Sequence, residues 1–166
     1  MGFSIEGKTA IVTGAANGIG LAIGRHFIDK GANVVFADMD EAKLADEVGE
    51  TKDDGPARYF AGDLRERLTI ANLLSATIDA FDTIDILVNG ARQIELSDPL
   101  DADSDAVSAM FRQNVLPALR LSQLVAKRMI RQSEGQTEGV AGSIVNLSSI
   151  AARRSADKAK VSSNLI

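Results

Sequence analysis

At 166 residues and 45% hydrophobic content, the chain has the size and composition of one globular domain with its own core. Acidic residues outnumber basic ones 23 to 18, which argues against nucleic acid as a partner, and Arg153-Arg154 is the densest basic spot. The absence of cysteine excludes disulfides and thiol nucleophiles, and a single histidine, His26, can build neither a metal cluster nor a Ser-His-Asp triad.

Glu6 near the start and the lack of a long apolar run argue against a signal peptide, and no stretch reaches membrane-spanning length. Glu6 also stands where a myristoylation motif beginning at Gly2 would need Ser or Thr. The expectation is a cytoplasmic protein with no membrane and no metal. Asn146-Leu147-Ser148 matches a glycosylation sequon, but it falls on what reads as a buried strand and is set aside.

Ala10-Ile11-Val12 is an apolar run, followed at once by a glycine turn and then by helical periodicity. Strand, glycine loop and helix in that order suit the diphosphate of a dinucleotide. Glycines let the backbone approach the phosphates, and the free N–H groups of the helix start face the negative charge. The spacing of Gly14, Gly18 and Gly20 differs from the common G-x-G-x-x-G fingerprint. Thr13-Gly14-x-x-x-Gly18-Ile19-Gly20, with Asn17 inside it, instead resembles the cofactor loop of the short-chain dehydrogenase/reductase family.

Ile19, Ala22, Ile23, His26 and Phe27 then form one helix face, and Gly31 ends the helix. Asn33 to Asp38 is a second strand, apolar throughout as a strand covered on both faces should be. Asp38, an acid about twenty residues past the glycines, is placed to accept from ribose hydroxyls and to repel an extra phosphate. Many NADP-using members of the resembled family carry a basic residue in the loop or after this strand. Asn17 and Met39 stand there instead, so the expected cofactor is NAD rather than NADP. Asp40 is read as the cap of a helix over Glu41 to Val48.

Ala57 to Leu64 gives a third strand, whose closing Asp63-Leu64 pair meets the adenine ring if the resemblance holds. Ile70, Leu73, Leu74, Thr77, Ile78 and Phe81 make a helix stripe, and Asp85 to Val88 a short buried strand. Alternating strands and helices mean βαβ units and a parallel sheet. Asn89-Gly90-Ala91-Arg92 resembles the family's Asn-Asn-Ala-Gly, matching at Asn89 and Ala91 and departing at Gly90 and Arg92. The lost second asparagine removes a sheet brace. Arg92 either reaches a phosphate or points to water.

Asp103 to Gln132 reads as a long helix, with Val107, Met110, Phe111, Val115, Leu119, Leu121, Leu124, Val125 and Met129 at its apolar positions. Pro117 has no N–H, so carbonyls near Gln113 and Asn114 lose or loosen their partners and could hold a water. The resemblance places Asn114 as the residue that holds such a water in a proton relay. After a polar loop from Gly135 to Gly142, Ser143 to Ser149 is a fifth strand ending in serines, and Ser149 aligns with the family's catalytic serine.

The resemblance covers residues 8 to about 152. It implies a single NAD(P)-binding Rossmann-type domain over 1–166, an α/β doubly wound parallel sheet of order 3-2-1-4-5 without the family's last strands. It also implies hydride transfer between an alcohol or ketone substrate and the cofactor. Thr13, Gly14, Asn17, Gly18, Ile19, Gly20, Asp38, Asp63, Leu64, Asn89 and Ala91 would meet the cofactor, with Asn114 and Ser149 catalytic. The family's Tyr-x-x-x-Lys is missing: its positions fall near Ser162 and Ile166, Lys158 and Lys160 complete nothing, and the only tyrosine is Tyr59. Three readings stand: a truncated or frameshifted oxidoreductase, inactive as the isolated chain; a non-catalytic dinucleotide- or partner-binding module; or a short chain that completes its site with another subunit. A homo-oligomer is expected, because the fifth strand leaves an apolar edge and the family's long helix packs on its copy in a neighbouring subunit.

Overall fold

A computed structural model of the chain describes residues 4–49, 55–98, 100–101, 103–135, 139–149 and 161–162. Arg153, Arg154, Lys158, Lys160 and Ile166 lie outside the described residues. The apolar run after Lys8 becomes β1 (Thr9–Thr13), buried along its whole length, as expected for a strand covered on both faces. β2 (Asn33–Asp38) and β3 (Ala57–Ala61) build outward from one side of β1. β4 (Ile86–Asn89) and β6 (Ser143–Asn146) build outward from the other. All pairings in this sheet are parallel, in the order β3-β2-β1-β4-β6, with Ile11 opposite Val35 on one side and Leu87 on the other. This is the 3-2-1-4-5 order read from the sequence.

Strand alternation sorts the core into two layers. Ala10, Val12, Val34, Phe36 and Val88 face α1 (Gly18–Asp29) and α2 (Glu41–Val48). Ile11, Val35 and Leu87 face α3 (Arg67–Phe81) and α5 (Leu116–Gln132), where Ile70, Leu73, Leu121 and Val125 are almost fully buried. Order reverses between β1 and β4, the switch point where open α/β sheets hold ligands in a crevice outside the strand ends.

Four expectations change. The buried face of α1 is rotated: Ile19 is 67% exposed and Ala22 and His26 are exposed, while Gly20 and Gly24 are buried. A Cβ at Gly24 would run into the Phe36 ring, so the helix meets the sheet through glycines, which a hydropathy stripe cannot register. The long helix starts at Ala106 rather than Asp103 and is interrupted. α4 (Ala106–Met110) runs into a π-helical turn, Phe111–Val115, before α5. Third, β6 is not buried. Among the described residues β4 is its only partner in the sheet, and Ile144, Val145 and Asn146 are exposed. Finally, a two-residue strand not anticipated from sequence, β5 (Leu96–Ser97), pairs antiparallel with β7 (Val161–Ser162). No helix among the described residues is long and apolar enough to cross a membrane.

Candidate functional site

The carboxyl ends of β1 and β4 are locked together by backbone. Gly14 has φ +70, and a Cβ there would sit 2.6 Å from the Gly90 carbonyl oxygen and 2.7 Å from the Ala91 nitrogen. Gly90 answers in kind: a Cβ on it would lie 2.7 Å from the Thr13 carbonyl oxygen and 3.2 Å from Leu147 Cδ1. Glycine at position 90 thus suits the close approach of the two strand ends. Bracing expected to be lost there is supplied by neighbours. The Thr13 hydroxyl accepts from the Gly90 and Ala91 N–H groups, both at 3.1 Å, and donates to the Val88 carbonyl at 3.4 Å. Asn89 Nδ2 donates to Ser122 Oγ at 2.9 Å and to Asn146 Oδ1 at 2.8 Å, tying β4 to α5 and β6. The sequence reading groups Thr13 and Asn89 with the cofactor contacts. Their side chains are buried in the sheet, where these bonds position the loops.

From Gly14 the loop folds back tightly, and a Cβ on Gly20 would collide with the Gly14 carbonyl oxygen. Ala15 and Ala16 are buried beneath it, whereas Asn17, Gly18 and Ile19 are exposed. Asn17 is the cap residue of α1 without a side-chain capping bond, so the first-turn N–H groups lack both an intrahelical partner and that cap. The loop therefore presents donors and no carboxylate at its tip.

Asp38, at the end of β2, is aimed at this loop. Its Oδ2 accepts from the Ala16 N–H at 3.1 Å, and Oδ1 accepts from Met39 at 2.7 Å and Asp40 at 3.2 Å. The helix-cap role belongs to Asp40, whose Oδ1 accepts from the Lys43 N–H at 3.2 Å. The Asp38 carbonyl accepts from the Gly62 N–H at 2.9 Å, which brings the turn at Asp63 and Leu64 alongside. There Asp63 is chelated by Arg65. Arg65 Nε donates to both carboxylate oxygens at 2.9 and 2.8 Å, Nη2 donates to Oδ2 at 2.5 Å, and the Arg65 N–H donates to Oδ1 at 2.9 Å. The arginine bond holds the Asp63 carboxyl below the usual carboxylate range.

Across the crevice, Asn114 lies in the π-helical turn. Its Oδ1 accepts from the Gln93 N–H at 2.8 Å and its Nδ2 donates to the Gln93 carbonyl at 2.9 Å. The side chain is a clamp on the segment after β4, so a water at this point would be held by backbone. Pro117 lacks the N–H that the Gln113 carbonyl would take in an α-helix. Ser149 is half-buried just past β6, which the Leu147 N–H ties to the Asn89 carbonyl at 3.0 Å. Arg92 is exposed and has no ion-pair or hydrogen-bond partner among the described residues. Gln93, Ser122, Asn146 and Arg65 escaped the sequence reading. Only Arg65, two residues past an Asp that closes a strand, carried a local signal, that of an Asx turn. Tyr59 lies on β3, lining a cavity of about 430 Å³ with Val35, Phe60, Ala76 and Ala80, apart from the glycine loop.

A family model described as short chain dehydrogenase matches residues 8–161. The sorbitol dehydrogenase of Cereibacter sphaeroides is 32% identical over 151 residues, 90% of this chain and 56% of that protein. A diacetyl reductase [(S)-acetoin forming] of Staphylococcus epidermidis is 31% identical over 149 residues, 89% of this chain and 56% of that protein. The chain thus spans little more than half the length of these curated relatives. A solved short chain dehydrogenase/reductase from Burkholderia phymatum in complex with NAD superposes with a TM-score of 0.83 at 25% identity, over 98% of this chain and 56% of that one.

Proposed function

This chain belongs to the short-chain dehydrogenase family, and on that premise we propose that its glycine loop and Asp38 bind NAD for hydride transfer with an alcohol or ketone. The carrying observation is the Asp38 carboxylate, fixed by three backbone N–H groups at the end of β2 and aimed at the loop. The cradle fits a dinucleotide: Gly14 and Gly20 fold the loop on itself and leave the α1 start open to a diphosphate. Bound there, the nicotinamide would accept or give the hydride. Asp38 would take the ribose hydroxyls, Asn17, Gly18 and Ile19 the diphosphate side, and Leu64 the base. Ala91, held against Thr13, would line the nicotinamide end.

A 2′-phosphate would meet the Asp38 carboxylate with no basic residue at position 17 or 39. Like charges at close range should separate the two cofactors by about tenfold or more in dissociation constant. Equilibrium titration with NADH and NADPH reads this directly. NADPH binding as tight as NADH would refute the assignment of Asp38.

Ser149 would polarise the substrate oxygen, while Asn114 clamps the neighbouring segment and the freed carbonyls near it hold a relay water. A second reading, a non-catalytic dinucleotide- or partner-binding module, is favoured by one observation: serine stands at 162, near where the family's tyrosine is expected. Self-association belongs to either reading. Val107 on α4, Phe111 in the π-helical turn, and Leu119, Leu124 and Ile130 on α5 leave an exposed apolar surface, 40% to 61% accessible, and among the described residues β6 has one unpaired edge. A homodimer or larger particle is expected. Light scattering that shows only monomer at micromolar concentration would count against it.

A further inference from the structure

The turn after β3 carries a donor where a base-reading acceptor is expected. A carboxylate offers about four lone-pair sites. In Asp63 both oxygens are engaged by Arg65 alone: Oδ1 by its backbone N–H and Oδ2 by Nη2, with the single Nε hydrogen shared between them. Charge-assisted bonds of this kind are roughly twice as strong as neutral ones, so a neutral aromatic amine does not displace the guanidinium. Arg65 Nη1 remains, with no partner among the described residues, and the side chain is 45% exposed. The Arg65 carbonyl is held in turn by Arg120 Nη1 at 3.4 Å, which fixes the turn against α5.

We propose that Arg65 sets base specificity here: by engaging Asp63 it sets a guanidinium donor beside that acceptor, so the chain binds hypoxanthine dinucleotide at least as tightly as adenine dinucleotide. The inference rests on the dinucleotide reading above and on Asp63 lying at the base. Adenine presents a 6-amino donor, which meets at Asp63 a carboxylate whose two oxygens already carry the Arg65 bonds. Hypoxanthine presents a 6-oxo acceptor, which the free guanidinium N–H can meet. The same pairing raises the Arg65 pKa and lowers that of Asp63, so both stay charged at neutral pH.

The test is a titration of the whole chain at pH 7 with NADH and with reduced nicotinamide hypoxanthine dinucleotide, read by calorimetry. The chain should bind the hypoxanthine form equally well or up to about threefold tighter. Arg65→Ala should free Asp63 and turn this into an adenine preference of roughly three- to tenfold, the span of one net hydrogen bond. Asp63→Ala in the Arg65→Ala background should erase that preference. Arg65→Met keeps the apolar stem and repeats the measurement should Arg65→Ala melt early. An adenine preference in the unmodified chain, or a ratio unmoved by both Arg65 substitutions, overturns this inference and leaves the dinucleotide reading standing. No binding of either dinucleotide overturns that reading and this inference with it.

Discussion

Gly14→Ala is expected to destabilise the fold by about 2–5 kcal/mol, which for a chain of this size lowers the melting temperature by roughly 5–15 °C. Two costs combine. An alanine at φ +70 pays about 1–2 kcal/mol for the left-handed backbone. Its Cβ then lies 2.6 Å from the Gly90 oxygen and 2.7 Å from the Ala91 nitrogen, atoms that cannot rotate out of the way. Such overpacking costs typically about 1–3 kcal/mol. Gly18→Ala supplies the control, since Gly18 also has positive φ, +55, but nothing lies within 4 Å of an added Cβ. It should pay the backbone cost alone. Thermal melts of the two variants isolate the contact between the ends of β1 and β4. If both lose the same stability, that contact yields easily and the account of Gly90 given above is wrong. Dinucleotide binding should fall further in Gly14→Ala, because the loop must lift from the crevice to admit the methyl group.

What the sequence made legible was the part governed by local pattern. β1 and β2 are uninterrupted apolar runs because helices cover both their faces, and α2 begins at Glu41 because Asp40 takes the Lys43 N–H. Strand order follows once the βαβ alternation is seen, since parallel strands need crossovers. The features it hid depend on close approach or on partners distant in the chain. Hydropathy gives glycine no weight, so the face of α1 that packs through Gly20 and Gly24 was placed on Ile19 and Ala22 instead. The side-chain bonds of Thr13 and Asn89 run to Gly90, Ser122 and Asn146, 77, 33 and 57 residues away, which no local pattern announces. Pro117 announced a disturbed helix, but not that Asn114 would spend both ends of its amide on Gln93. The chelation of Asp63 by Arg65 was hidden too, because a motif match says nothing of what a carboxylate is bonded to.

The 166-residue chain by itself is expected to show no useful hydride transfer even when it binds NADH. The chemistry implied by the family needs a phenol that gives a proton to the carbonyl or takes one from the alcohol. A tyrosine near pKa 10 does so near neutrality only beside a cation. Ser149 and Asn114 are present, but Tyr59 is the only tyrosine. It lies on β3, four strand positions from β6, or about 19 Å at the usual strand spacing. Ser162, in β7, holds its hydroxyl proton far too tightly to replace a phenol. General acid–base catalysis typically contributes about 10²–10⁴-fold, and substrate orientation can add roughly 7–11 kcal/mol in favourable systems. Incubating the chain with NAD and secondary alcohols, and with NADH and the matching ketones, should leave the reduced-nicotinamide absorbance unchanged. Activity that appears only after a longer relative is added would identify a site shared between subunits. Robust turnover by the chain alone that is lost in Ser149→Ala would defeat the prediction, because some group other than a tyrosine would then be moving the proton.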